Sequence, residues 1–491
     1  MSGTDGTSIA KSALLMVSMR WIDRLIGIGS TLILARLLLP DDFGVVAQAT
    51  LIVGLLGVLT DLGVHIALIQ RQDIEQSHWD TAWTIRLIQY GGMTALVLLG
   101  APLAGDYFGD LRVVPVLQVM TLTLVLAGIE NIGVIAFQKE MRFAQDFRFM
   151  FFRRVAGFVA TISLALLWQS YWAMVVGAIA GRLAGVILSY LMHEMRPRLS
   201  LVRFGEIFSV SQWALVRSVG DYLDNNLDRL LIGGRTNSAI VGGYTVANEI
   251  ALMPASEVLA PLNRVLFPAF VRARENLVEL KRMFLLAQGV QTLIAIPASV
   301  GLSLVAPEAV VVLLGDNWSF AVPFLQVLAL TYVVKAIAAS AGYVLITMGK
   351  IRSNALIVWC QVVVFCALVI GLLPEAGALI IALARLLAAA VGLVITFWFL
   401  RQVLGNVTVA EVVKTVGRPL LASALMAVAV ITVPQLLATS PSTVLLLKIA
   451  LGATVYVLAV GLMWLAVGRP DGAERYLGDK VVLAWRRRAA T

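Results

Sequence analysis

Hydrophobic positions cluster into runs about the length of a bilayer core, and most polar residues fall in the short breaks between them. A first set of runs lies near 13–39, 43–69, 81–104, 112–136, 150–168 and 171–192. A second lies near 207–233, 240–270, 283–306, 321–347, 354–373 and 377–400, followed by two more near 414–437 and 444–467. A helix of roughly 20 apolar residues crosses a membrane. The pattern therefore predicts an all-α polytopic membrane protein with about fourteen transmembrane helices.

The runs also repeat. VPVLQVMTLT at Val114–Thr123 returns as VPFLQVLALT at Val322–Thr331, an offset of 208 residues (322 less 114). Ala35-Arg36 with Gly44 returns as Gly234-Arg235 with Gly243, an offset of 199 (234 less 35), so a loop insertion separates the two echoes. A duplication predicts two pseudo-symmetric six-helix lobes plus two C-terminal helices, and paired bundles of this kind are a frequent plan in secondary transporters. The expected division is 1–205 for spans 1–6, 206–405 for spans 7–12, and 406–491 for spans 13–14 with a basic amphipathic cytoplasmic tail.

Composition agrees with a membrane setting: 60% of residues are hydrophobic and 14% charged, mean hydropathy is +0.90, and soluble domains carry roughly 25% charge. Lys and Arg accumulate in cytoplasmic loops. The segments holding Lys139, Arg142, Arg196, Arg203, Arg274, Lys350 and Arg401 are therefore read as inside, and those holding Arg112 and Arg235 as outside. Both termini are expected to be cytoplasmic. Six spans per repeat then insert the two lobes in the same orientation, with an axis along the membrane normal and a cavity between them. The net charge of +9 is spread over many short loops that face lipid headgroups, and it gives no reason to invoke nucleic acid. Phe143, Phe147 and Phe151 among Lys139, Arg142, Arg148 and Arg153, and Leu477, Val481 and Trp485 beside Arg486–Arg488, suit helices lying on the inner leaflet. Cys360 and Cys366 share one apolar run and read as packing residues. The first run, interrupted by Arg20, Asp23 and Arg24, reads as a retained span and not as a cleaved signal.

Motif searching removes several classes. Gly349-Lys350 is followed by Ile351, so there is no phosphate-binding P-loop, and neither HExxH nor GxSxG occurs. No catalytic residue, metal ligand or cofactor is assigned, and the expectation is a secondary transporter with Na+ or H+ coupling.

Ionisable groups at membrane depth cost about 2.5–3.5 kcal/mol each on insertion scales, so they face a cavity or a partner. The seventh span places Arg217, Asp221, Asp224, Asn225 and Asp228 on one helical face, and the first places Arg20, Asp23, Arg24, Gly27 and Thr31 on another. Stacked Arg20 and Arg24 repel unless an anion sits between them, and guanidinium groups bind phosphate through paired hydrogen bonds. Arg20, Arg24, Arg217 and Arg264 are the candidates for an anionic substrate group. Asp23, Asp221, Asp224, Asn225, Asp228, Asn248 and Glu249 are candidates for polar substrate groups or a coupling cation. The alternative for Arg217–Asp221 and Arg20–Asp23 is internal neutralisation. Asp61 and His65, one helical turn apart, form either a proton relay or a hydrogen-bonded pair. Pro254 and Pro261 invite bending in the eighth span. Lys335, Arg385, Arg182 and Glu130 are further candidates, while Arg36, Arg86 and Lys448 lie near span ends and read as snorkelling.

Two strings carry a family likeness. ARLLLPDDFGVVAQATLIVGLLGVLTDLGVHIALIQR at 35–71 and NLDRLLIGGRTNSAIVGGYTVANEIALMPASEVLAPLNRVLFPAF at 225–270 resemble Wzx-type polysaccharide flippases, in particular the colanic acid exporter-like group of the multidrug/oligosaccharidyl-lipid/polysaccharide superfamily. The likeness extends over the chain in length and span count, while its specific strings occupy about a sixth of it. It implies two six-helix lobes in a V with two further helices. It also implies export of an undecaprenyl-diphosphate-linked oligosaccharide from the cytoplasmic to the periplasmic leaflet of a bacterial inner membrane, by alternating access, for exopolysaccharide or lipopolysaccharide assembly. On this reading cavity arginines meet the diphosphate, the lipid tail lies between the lobes, and polymerase or export machinery are partners. The competing readings are an ion-coupled drug or cation antiporter of the same superfamily and a membrane polysaccharide-assembly enzyme that moves nothing.

Overall fold

The computed structural model describes residues 5–60, 64, 68–69, 71, 73–207, 212–405, 407–432, 440–476 and 479–480. All regular elements among them are helices. Ten described helices are long and apolar enough to cross a membrane by length and composition. The shorter apolar Val113–Ile129 and three polar-striped helices of 33, 22 and 36 residues (Asp5–Leu37, Gln212–Gly233, Ser238–Ala273) bring the series to fourteen, as ten, one and three.

The chain divides into two compact units, Met1–Gly243 and Tyr244–Thr491. This division follows contacts, whereas the sequence boundary near 205 follows the repeat. The first unit holds α1 (Asp5–Leu37), α2 (Pro40–Thr60), α3 (Gln76–Phe108), α4 (Val113–Ile129), the short α5 (Val134–Lys139), α6 (Phe143–Trp168), α7 (Trp172–Met192), the short α8 (Phe204–Ile207) and α9 (Gln212–Gly233). Its largest core joins Val45 and Ala49 of α2, Met93, Val97 and Ala101 of α3, and Val116, Leu117 and Met120 of α4. α3 ends at Gly109, whose φ of +64° is a left-handed conformation that glycine adopts without strain. α9 packs on α2: Tyr222 donates to the Leu51 carbonyl at 2.5 Å, and a Cβ at Gly54 would lie 2.9 Å from the Tyr222 hydroxyl.

Helix α10 (Ser238–Ala273) leads into the second unit, with α11 (Leu277–Leu304), the short α12 (Ala306–Leu313), α13 (Val322–Thr347), α14 (Ile351–Cys366), α15 (Ala378–Leu404), α16 (Val409–Thr432) and α17 (Pro441–Ala466). The repeated string begins α4 at one place and α13 at the other. Between α3 and α4 the connection is 109–112, whereas between α11 and α13 it is 305–321 and contains α12 and a 3-10 turn. That longer connection accounts for the change of offset between the two sequence echoes.

Three sequence readings change. The run 112–136 is not one helix but α4 and α5 with a break at 130–133. The Phe143, Phe147 and Phe151 series opens the spanning helix α6 and does not form a separate surface helix, and Phe147 stacks on Phe151 at 5.5 Å. Lys448 does not snorkel: its ammonium lies 2.6 Å from Glu308 Oε1, and both side chains are largely buried. Leu477, Val481 and Trp485 lie outside the described residues.

Candidate functional site

The break after α4 creates the most polar interior of the first unit. Glu130 follows Ile129 with ψ of 136°, so the chain leaves helical geometry at that residue. The exposed backbone is met by specific partners. The Asn131 N–H donates to Ser189 Oγ at 3.0 Å, the Gly133 N–H donates to Asn131 Oδ1 at 2.9 Å, and the Tyr190 hydroxyl donates to the Ile129 carbonyl at 2.9 Å. Unsatisfied backbone within a membrane costs several kcal/mol, so a broken helix persists only where such groups replace its lost bonds. Gly133 is required here, since a Cβ would meet His193 Nδ1 at 2.5 Å.

Three arginines converge on Glu130, which is 4% exposed. Arg86 Nη2 lies 3.5 Å from Oε1, and Arg153 Nη1 and Arg182 Nη1 lie 3.8 and 3.9 Å from Oε2. Each arginine is the eleventh residue of its helix, α3, α6 and α7 respectively, about 15 Å along the axis from the helix start at 1.5 Å per residue. Arg86 also lies over the Tyr90 ring and Arg153 over the Phe149 ring, both at 5.8 Å. These groups line a cavity of about 640 Å³, together with Gln138 and Asp146 and an apolar wall that includes Ile132 and Met150. Three cations and two carboxylates leave the lining with a net charge of +1. Close packing of α6 on α7 brings Arg153 and Arg182 together: Gly157 faces Gly181 with 3.2–3.3 Å to an added Cβ, and a Cβ at Gly185 would press on Arg153 Cδ at 2.7 Å. Small residues four apart let membrane helices approach this closely.

The residues singled out from sequence are distributed differently. Asp23 pairs with Arg154 of α6 at 3.2 Å, and a Cβ at Gly27 would meet Arg154 Nη2, so the α1 stripe faces α6. Arg24 is half-buried, and the Arg20 side chain lies outside the described residues. Arg217 and Asp221 form an i,i+4 pair at 3.2 Å, which is the internal neutralisation considered above. Asn225 donates to the Asp221 carbonyl, Asp224 is half-buried, and Asp228 is 2% exposed and accepts from the Arg229 N–H. In the second unit Asn248 accepts from the Tyr332 hydroxyl at 3.0 Å and Glu249 is exposed. The Arg264 side chain, Asp61 and His65 lie outside the described residues. Arg86, read from sequence as snorkelling, instead joins Glu130, because α3 begins at Gln76 and carries it deep.

At the α5 end of this unit, loops are tied by charge. Arg203 spans Glu206 and Glu75 at 2.8 and 3.0 Å, Arg71 also reaches Glu206, and Lys139 donates to the Leu68 carbonyl. His78 Nδ1 accepts from the Glu75 N–H, which places the ring proton on Nε2, 3.3 Å from Glu206. Hydrogen bonds from Arg203 and His78, with the charge of Arg71, hold the Glu206 carboxyl down at about 2. A carboxylate depressed on folding stabilises above its ordinary value near 4.5 and loses that contribution as pH falls toward 2. The protection of amides 196–207 against hydrogen exchange, relative to intrinsic exchange at each pH, is therefore expected to be flat between pH 5 and 8 and lower in acid. Glu206→Gln should lower that protection at pH 5–8 to the acid level of the wild type and remove the acid dependence.

A helical chain with this many candidate spans, and guanidinium groups gathered in a cavity between its helices, has the architecture of a polytopic transporter. Residues 33–323 match the family of polysaccharide biosynthesis proteins, and the chain belongs to that family. It is 24% identical over 387 residues to the lipopolysaccharide biosynthesis protein WzxC of Escherichia coli (strain K12), covering 78% of each chain. It is 26% identical over 303 residues to the succinoglycan biosynthesis transport protein ExoT of Rhizobium meliloti (strain 1021), covering 61% of each. In fold it is similar to the lipid II flippase MurJ in an inward closed conformation, with a TM-score of 0.75 over 93% of this chain and 99% of that one at 10% identity. An inward-facing multidrug resistance MATE family transporter of the MOP superfamily aligns with a TM-score of 0.57 over 81% of this chain and 100% of the other at 14% identity.

Proposed function

We propose that the protein flips an undecaprenyl-diphosphate-linked oligosaccharide repeat unit from the cytoplasmic to the periplasmic leaflet of a bacterial inner membrane by alternating access. The observation that carries this reading is the convergence of Arg86, Arg153 and Arg182 in one 640 Å³ cavity. The cavity lies within the roughly 300–1,000 Å³ typical of small-molecule sites. Guanidinium groups recognise phosphate oxygens by paired hydrogen bonds, and a diphosphate diester offers two negative charges to three such groups. Membership in a polysaccharide biosynthesis family, a relative named as a transport protein and a flippase fold support it. Both termini cytoplasmic, as the loop charges imply, places the α5 end of the first unit, with Lys139, Arg142, Arg196 and Arg203, on the side where the lipid-linked sugar is made. Asp221, Asp224 and Asp228 on α9 are the groups proposed for a coupling Na+ or H+, and polymerase or export machinery is the proposed downstream partner.

Purified protein in liposomes is expected to move a fluorescent undecaprenyl-diphosphate oligosaccharide between leaflets, faster under an imposed Na+ or H+ gradient. A protein that leaves this lipid in place, or that moves organic cations instead, refutes the proposal.

A further inference from the structure

The Glu130 cluster differs from the largely buried Lys448–Glu308 pair of the second unit. Charge-assisted N–H···O bonds settle near 2.7–2.9 Å, and Lys448–Glu308 at 2.6 Å is such a bond in the second unit. Around Glu130 the distances are 3.5, 3.8 and 3.9 Å, and its buried Oε2 makes no hydrogen bond. One carboxylate is shared loosely among three cations. Two of the arginines have further contacts, Arg86 over Tyr90 and Arg153 over Phe149 and against Gly185. The backbone at 129–133 is held by Tyr190, Ser189 and Asn131. The backbone bonds that hold the break do not use the Glu130 carboxylate.

The repeat adds a second observation. Aligning Val114 with Val322 puts Ala338 where the first repeat has Glu130, and α13 runs through Ala338 to Thr347 without a break. The Glu130 carboxylate and the break thus have no counterpart at the aligned position of α13.

An anion site of three arginines faces a physical conflict. It must hold a diphosphate, yet when empty it leaves like charges close together in one cavity, where they repel. A resident carboxylate resolves it by neutralising one charge in the empty state and competing for the donors in the loaded state. We infer that Glu130 is an internal counterion that the substrate's diphosphate displaces from Arg86, Arg153 and Arg182, so that it weakens binding and promotes release and the return of the empty carrier. The inference rests on the diphosphate reading above.

The test uses the full chain in detergent and undecaprenyl diphosphate without sugar as probe. Glu130→Gln keeps the shape and removes the charge, and it is expected to bind the probe about tenfold more tightly than the wild type, within the usual range of coupling between sites. Glu130→Asp, which retracts the charge, should fall between them. In liposomes Glu130→Gln is expected to lower both KM and kcat, a split that a structural role would not produce. Arg153→Ala should weaken binding in either background. Equal or weaker binding by Glu130→Gln, with an unchanged thermal midpoint and with Arg153→Ala still abolishing binding, overturns the counterion alone. If Glu130→Gln does not fold, Glu130→Asp binding no more tightly than wild type overturns it equally. Absence of probe binding in every variant overturns the diphosphate reading and the counterion together.

Discussion

Replacing Arg153 with alanine is expected to reduce flipping of the lipid-linked oligosaccharide by about tenfold or more while the protein still elutes as a folded species. Arg153 is the member of the cluster with two roles: its Nη1 faces Glu130 Oε2 at 3.8 Å, and its side chain lies against Gly185 and over Phe149. On the diphosphate reading the truncation removes one phosphate donor, a hydrogen bond to a charged group contributes about 1.5–3 kcal/mol, and each 1.4 kcal/mol is tenfold, which sets the expected loss. Arg153→Lys should restore part of the rate, because an ammonium keeps the charge but cannot form the paired bonds of a guanidinium. Arg142→Ala is the control: Arg142 pairs with Glu140 at 2.7 Å, and both side chains are exposed, so its loss should change little. Flipping by Arg153→Ala at the rate of Arg142→Ala would remove this cavity from the transport path.

Much of the fold could be read in the chain because a bilayer imposes a simple rule. Each span must be a long apolar helix, and a duplicated string must begin equivalent helices, as it does at Val113 and Val322. The site was less accessible for the same reason. Apolar runs end where charge begins, so the third span was placed from 81 and the fifth from 150. Their helices start at Gln76 and Phe143. Those shifts put Arg86 and Arg153 about 15 Å from their helix starts, on the stretches of α3 and α6 that meet Glu130. Glu130 and Arg182 were visible as isolated charges in apolar runs. Their meeting depends on tertiary packing, which periodicity does not encode. A sequence signal for the break did exist: Glu130-Asn131 between Gly128 and Gly133 interrupts an apolar run with two polar residues and two glycines. On α9 the Arg217–Asp221 pair shows that a polar face can neutralise part of itself.

Gly177→Val should inactivate the protein without touching any charged residue. α7 carries Gly177, Gly181 and Gly185 four apart, and α6 presents Gly157 and Thr161 to them. A Cβ at Gly177 would lie 1.8 Å from Thr161 Oγ1 and 2.8 Å from Thr161 Cα. Turning the Thr161 side chain relieves the first contact but not the second, and its hydroxyl is already committed to the Gly157 carbonyl at 2.8 Å. The two helices must therefore separate. Overpacking of this kind costs about 1–3 kcal/mol and occasionally more, so folded yield measured by size exclusion should fall. Arg153 and Arg182 project from these same helices, and separation carries them apart. Misplacement of a binding group by about 1 Å can cost a hundredfold in rate, so the fraction that does fold should bind undecaprenyl diphosphate weakly and flip slowly. Gly91→Ala, at a position with no neighbour within 4 Å, should leave both yield and rate intact. Wild-type yield and rate for Gly177→Val would mean that the spacing of α6 and α7 does not set the arginine geometry, and that the helices can shift without loss.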